Sequence, residues 1–246
     1  INAKSTKEIV FTSGTTDSIN KIVFGFFKNY LKDGDSVLLT KSEHASNVLP
    51  WFELSDMINI DISYIPLNEN HEVTIENVIN AITNKTKVIS LAHITNVIGD
   101  VRPIKEIIEY AHKNNILVVI DGAQSVAHHK IDVQSLDIDF LAFSAHKMLG
   151  PTGVGVMYGK SELLSKTKPI IFGGGMNSSF LFDKTRIYHE IPTLLEAGTP
   201  NIAGVIGFSS VIEYLNKIGM ENIQKYENDL KKYAIEKLKT VKDIIT

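Results

Sequence analysis

Cysteine is absent from the sequence. That excludes disulfides, thiolate metal sites and a cysteine nucleophile within these residues, and it fits a reducing compartment. There is no apolar run of membrane-spanning length and no signal-peptide pattern. A cytoplasmic protein is therefore expected. A dominant charge is lacking as well: 25 Lys and Arg stand against 28 Asp and Glu, net −3, with both signs mixed along the chain. This offers no electrostatic case for binding nucleic acid or a membrane surface. No internal repeat and no low-complexity segment is found. Residue 1 is isoleucine, so translation is expected to start upstream.

What remains is an ordinary globular composition, 43% hydrophobic and 22% charged over 246 residues. Short apolar runs alternate with helical periodicity. Strands are expected at 8–12, 36–40, 61–67, 87–93, 116–121, 140–143 and 154–159. They are rich in β-branched residues and often apolar on both faces, as buried strands of a parallel sheet are. Helices fall between them. One starts at Thr15; another follows Pro103 with Ile104, Ile107, Ile108 and Ala111 on one stripe. The alternation predicts an α/β fold with a mostly parallel central sheet covered by helices. A long apolar helix is expected over 201–219, capped by Gly219. A further helix follows, with Ile223, Tyr226, Leu230, Tyr233 and Leu238 on one face. The stretch 172–195 reads as irregular, and the terminal "VKDIIT" as the start of a strand.

In open α/β sheets, ligands sit beyond the carboxyl ends of the strands. Several chemically useful side chains follow predicted strands. "SGTTDSIN" places Thr15 and Thr16 at a helix start, an anion site or simply a threonine cap. "ILVVID" ends in Asp121, with Gln124 three residues on. That carboxylate serves either a cationic ligand nitrogen or a strand-ending turn. His44 follows another strand, placed to stack on a flat ligand, to move a proton, or only to cap a turn. His128 and His129 are adjacent and do not share a helix face, so no metal site is expected. Lys147, in "FSAHKMLGPTGVG", follows an apparently buried strand and is flanked by Ser144 and His146. A desolvated lysine is a nucleophilic amine that forms Schiff bases with aldehydes. A lysine for an aldehyde, an acid for a ring nitrogen and donors for a phosphate are the needs of pyridoxal 5′-phosphate (PLP).

These stretches also resemble a known family. "SGTTDSIN", "SEHASNVLPW", "HITNVIGDVRP", "VVIDGAQSVAHH", "DFLAFSAHKMLGPTGVGVMYG", "FGGGMN" and "LEAGTPNIAGVIG" occur in family order over nearly the whole chain. They are similar to those of class V fold-type I PLP enzymes, and among them the group II (SufS-like) cysteine desulfurases. The resemblance implies that Lys147 carries the cofactor and that Asp121 pairs with the pyridine nitrogen. It gives Gln124 to the phenolic oxygen and His44 to the ring face, with an acid/base role. Thr15, Thr16, Ser144 and His146 go to the phosphate, and Asn96 to the lining of the site. Thr199 would reach the phosphate of a neighbouring subunit, which implies a homodimer with shared active sites. The reaction implied is conversion of L-cysteine, or a related amino acid, to alanine. Sulfur leaves as a persulfide for a sulfur-acceptor protein in iron–sulfur cluster assembly.

There are departures. The family's cysteine nucleophile and substrate-carboxylate arginine lie in a C-terminal region that this sequence does not contain. Ser13 stands for an arginine, and Leu194 or Leu195 for a basic residue before "EAGTP". The expected organisation is a PLP-binding large domain over 1–219, its N-terminal part missing, and the first helix of a small domain over 220–246. Another class V activity (aminotransferase, epimerase or selenocysteine lyase) and a non-catalytic binding protein are the alternatives.

Overall fold

In the computed structural model, residues 1–242 are described. The strands are β1 (Ile9–Thr12), β2 (Ser36–Thr40), β3 (Asp61–Ile65), β4 (Thr86–Ala92), β5 (Leu117–Asp121), β6 (Phe140–Ser144) and β7 (Gly155–Gly159). They form one sheet in the order β1-β7-β6-β5-β4-β2-β3. All neighbours pair in parallel except β7, which runs antiparallel to both β1 and β6. The other six strands therefore point the same way, and their carboxyl ends share one edge.

The period of two along a strand divides successive side chains between two layers. In β5, Val118 and Ile120 enter one core and Val119 the other. In β6, Leu141 and Phe143 go one way, Phe140 and Ala142 the other. The first layer is closed by α4 (Ile75–Ala81), α5 (Ile104–Lys113), α6 (Ser125–His128) and α8 (Ile202–Ile218). The predicted stripe of Ile104, Ile107, Ile108 and Ala111 is the buried face of α5. The second layer is closed by α1 (Thr15–Asn20), π-helical turns over Lys21–Phe27, α3 (Leu49–Met57) and α7 (Ser161–Leu164), while the short α2 (Lys28–Tyr30) is exposed. Phe26 and Phe27 pack there against Phe140, and Trp51 against Phe27. Two such layers on one parallel sheet explain why the strands read as continuous apolar runs.

α9 (Met220–Leu238) follows Gly219, whose φ of 89° turns the chain out of α8. Ile223 packs against the first core, and Glu227 and Glu221 pair with His128 and Lys130. Tyr226, Leu230, Tyr233 and Leu238 are exposed. The stretch expected to be irregular contains a hairpin, β8 (Asn177–Phe180) and β9 (Arg186–Tyr188). Its strands are short and stand outside the main sheet, so they carry no burial pattern to read. Of "VKDIIT", Val241 and Lys242 form no strand, and the rest lies outside the described residues.

Candidate active site

The loops leaving β1, β2, β4, β5 and β6 at the shared edge enclose a cavity of about 270 Å³, near the lower end of the roughly 300–1,000 Å³ typical of small-molecule sites. Lys147, Asp121, Gln124 and His44 line it, and so do Asn96, Thr15, Thr16, Ser144 and His146. Nine side chains scattered from residue 15 to residue 147 thus meet in one place. Thr199 does not line it and lies exposed in the loop before α8.

Each side chain is set by its local backbone. Lys147 lies on the single turn Ala145–Met148 between β6 and β7, half-buried, with no ion pair or hydrogen bond among the described residues. That turn is fixed at both ends: Ala145 N–H donates to Val154 O at 2.9 Å and Gly150 N–H to Ala145 O at 2.8 Å. Thr15 does not cap its helix. Its N–H donates to Ser144 Oγ at 2.7 Å and its hydroxyl lies 2.7 Å from the same oxygen, tying the β1 loop to the end of β6. This contact needs two glycines side by side: a Cβ on Gly155 would fall 2.4 Å from Gly14 Cα. His44 does cap a turn: Ser46 N–H donates to its Nδ1 at 3.1 Å. That bond assigns the neutral ring's proton to Nε2. Ser46 Oγ also lies 2.8 Å from Thr16 Oγ1, so the threonine and histidine sides of the cavity are joined through one hydroxyl.

Asp121 is buried, and one carboxylate oxygen accepts the Ala123 N–H at 2.9 Å. Its other oxygen has no partner among the described residues. Burial pushes its pKa up to about 6; the Ala123 N–H, Lys147 and His44 pull it down, and Glu43 adds to the rise. The turn that ends the strand also places the carboxylate on the cavity. Next to it, His93 donates its backbone N–H to Asp121 O at 3.0 Å. Burial, with His129 adding to it, lowers the His93 pKa to about 4, so this ring is neutral at physiological pH. His128 and His129 turn away from the cavity to Glu227 and Gln224 of α9. Among the described residues no group of three or more metal-ligating side chains occurs.

Sequence reasoning passed over Ser46, Glu43 and Arg102. Glu43 and Arg102 form an ion pair with both side chains fully buried. Both stand inside stretches that the family resemblance had already marked, "SEHASN" and "GDVRP". The available signal was an acid shortly after one predicted strand and a base immediately before the helix predicted after Pro103; neither could be known to be buried before the sheet order was known.

Residues 1–246 match the family described as aminotransferase class-V. The chain belongs to that family. A probable cysteine desulfurase of Halalkalibacterium halodurans is 44% identical over 97% of this chain and 58% of its own length. A cysteine desulfurase of Wigglesworthia glossinidia brevipalpis is 44% identical over 99% of this chain and 60% of its own. Among solved structures, the cysteine desulfurase CsdA from Escherichia coli superposes with a TM-score of 0.94 at 37% identity, covering 97% of this chain and 60% of that one. The chain thus spans about three-fifths of the relatives it matches, and its sheet and helices are those of the fold-type I PLP enzymes.

The family is one of PLP-dependent enzymes, and the residues present fit that group. An unengaged amine, a buried carboxylate with a free oxygen, an imidazole and a cluster of hydroxyls face one cavity.

Proposed function

We propose that this chain is the cofactor-binding part of a PLP-dependent cysteine desulfurase. The observation that carries the reading is the convergence of Lys147, Asp121, His44 and the Thr15–Thr16–Ser144 hydroxyls on one cavity at the carboxyl edge of the sheet. When bound, PLP supplies an electron sink for negative charge developing at the substrate's Cα.

The chain's own groups do the rest. Lys147 would hold the cofactor through its Nζ and, when free, would move the Cα proton; His44 would be the second acid/base group. Asp121 would offer its buried negative charge to the ring nitrogen, a charge that favours the protonated ring. Gln124 would donate to the phenolic oxygen, and Asn96 would line the ring side. Thr15, Thr16, Ser144 and His146 hold the phosphate. The thiolate that takes sulfur from L-cysteine must come from outside these 246 residues, which contain none. A second copy of the chain would bring Thr199 to this phosphate, and a sulfur-acceptor protein in the cytoplasm would take the persulfide toward iron–sulfur clusters. These last assignments rest on the family resemblance.

The test is chemical. Incubation with PLP and then borohydride is expected to fix the cofactor on the peptide containing Lys147, and Lys147→Ala is expected to abolish the label. Label on another lysine, or none on demonstrably folded protein, would overturn the reading.

A further inference from the structure

Behind the residues that line the cavity lies a buried ion pair that none of the assigned roles uses. Arg102 and Glu43 have fully buried side chains and pair directly. Arg102 Nη1 also donates to Ala92 O at 3.1 Å; Nη2 donates to Thr40 Oγ1 and Ser42 Oγ, each at 2.8 Å. Glu43 accepts from Ala92 N–H and from Asn47 Nδ2, each at 2.8 Å, and from Thr40 Oγ1 at 2.7 Å. Asn47 Oδ1 in turn accepts from Ser90 Oγ at 2.6 Å. The pair therefore bolts together the end of β2, the 41–47 loop and the end of β4. At Arg102 it also holds the return of the 94–101 loop, where Arg102 N–H donates to His93 O at 2.9 Å.

Those two loops carry His44 and Asn96, and Ala92 is the register partner of Asp121. His44 thus directly follows Glu43 in the chain, Asn96 sits in the loop that Arg102 closes, and Asp121 lies beside Ala92, which bonds both members of the pair. On the phosphate side, Thr15, Ser144 and His146 hang on β1 and β6, and Thr16 reaches the 41–47 loop through Ser46. A buried ion pair contributes little net stability compared with apolar residues of the same shape, while breaking it is costly. Its presence at the junction of two site loops therefore calls for another reason, and fixing geometry is one that such pairs are known to serve.

We infer that Arg102 and Glu43 are positioning residues: the pair sets where His44 and Asn96 stand over Asp121, and so sets affinity for the cofactor's ring. This rests on the PLP reading above. The test uses the intact protein and three variants. Arg102→Lys keeps the charge but replaces the planar fork by a point charge that cannot hold four acceptors. Glu43→Leu with Arg102→Met replaces the pair by apolar side chains and is expected to keep the fold. His112→Ala, at the opposite edge of the sheet, is a destabilised control. PLP affinity by equilibrium dialysis is expected to fall at least tenfold in both pair variants, whatever their unfolding midpoints, and to stay unchanged in His112→Ala. Affinity that follows the unfolding midpoint across all three variants would reduce the pair to a structural role and overturn the inference. Should the wild-type protein itself fail to take PLP at Lys147, it is the PLP reading that falls. The positioning role is then decided by amide exchange at 44–47 and 94–98, expected to quicken in the pair variants and not in the control; unchanged exchange there overturns it.

Discussion

Asp121 shows how one side chain answers to two demands. Its folded pKa of about 6 lies above the ordinary 3.8 because burial penalises the charged form. A raised acid binds protons more tightly in the folded state, so its stabilising contribution is whole below pH 3.8 and is lost as pH rises to about 6. Two pKa units correspond to about 3 kcal/mol at most. Asp121→Asn keeps the acceptor for Ala123 N–H without the charge, so the cofactor-free variant is expected to gain up to about 3 kcal/mol over wild type at pH 7. The gain should vanish near pH 4; denaturant titrations at the two pH values check this, and a gain independent of pH would refute it. The same variant is expected to lose Cα deprotonation by roughly a hundredfold or more in the complete enzyme, measured as exchange of the substrate's Cα proton. Gly155 is the complementary case, required for space alone. Gly155→Ala puts a methyl into the Gly14 backbone, with a cost of about 1–3 kcal/mol. The movement should part Thr15 from Ser144, so PLP affinity is expected to drop more than stability alone explains.

At the level of elements, the far edge of the sheet is held by a cluster distinct from the site. His112 of α5 bonds Asp139 at 2.8 Å and Asp137 at 2.9 Å. Asp139 accepts from Lys160 Nζ and from Val118 N–H of β5, each at 2.8 Å. The Asp139 hydrogen bond raises the His112 pKa above 6.5. A raised base contributes fully below pH 6.5 and loses that contribution as pH rises through its folded pKa. The stability difference between wild type and His112→Gln is therefore expected to shrink from pH 6 to pH 9. The fluorescence of Trp51, the one tryptophan, reports it; a constant difference would mean that no proton is linked. Such contacts also mark what sequence reading reaches. All seven strands of the sheet and the stripe of α5 were legible, because burial on two faces writes continuous apolar runs and burial on one face writes a period. The β8–β9 hairpin was not, since Phe180, Leu181, Phe182 and Ile187 are exposed and no periodicity marks them. In the site, Lys147, Asp121 and His44 were legible as polar groups following strands, and the structure brings them to one cavity. Arg102 and Glu43 were not, because their meaning depends on β2 and β4 being neighbours.

At the scale of the whole molecule, the proposed function divides into taking up a cofactor and transferring sulfur. The 246 residues offer a cavity and an amine but no thiol. By themselves they are expected to bind PLP at Lys147 yet form no persulfide from cysteine above the rate of free PLP. Turnover well above that rate, abolished by Lys147→Ala, would show that the reaction has been misassigned. The placement of β1 has a further consequence, in time rather than in space. Lys147 lies inside the β6–β7 pairing, which closes a short loop, whereas Thr15 must find Ser144 across 129 residues, and β1 has only β7 to pair with. Long loops close slowly and late. The hydroxyl cradle is thus expected to be the last part of the sheet edge to assemble in refolding, after the turn that carries the amine. PLP added during refolding should reach its final absorbance only after the Trp51 signal has settled, making cofactor capture a marker that the chain's two ends of the sheet have met.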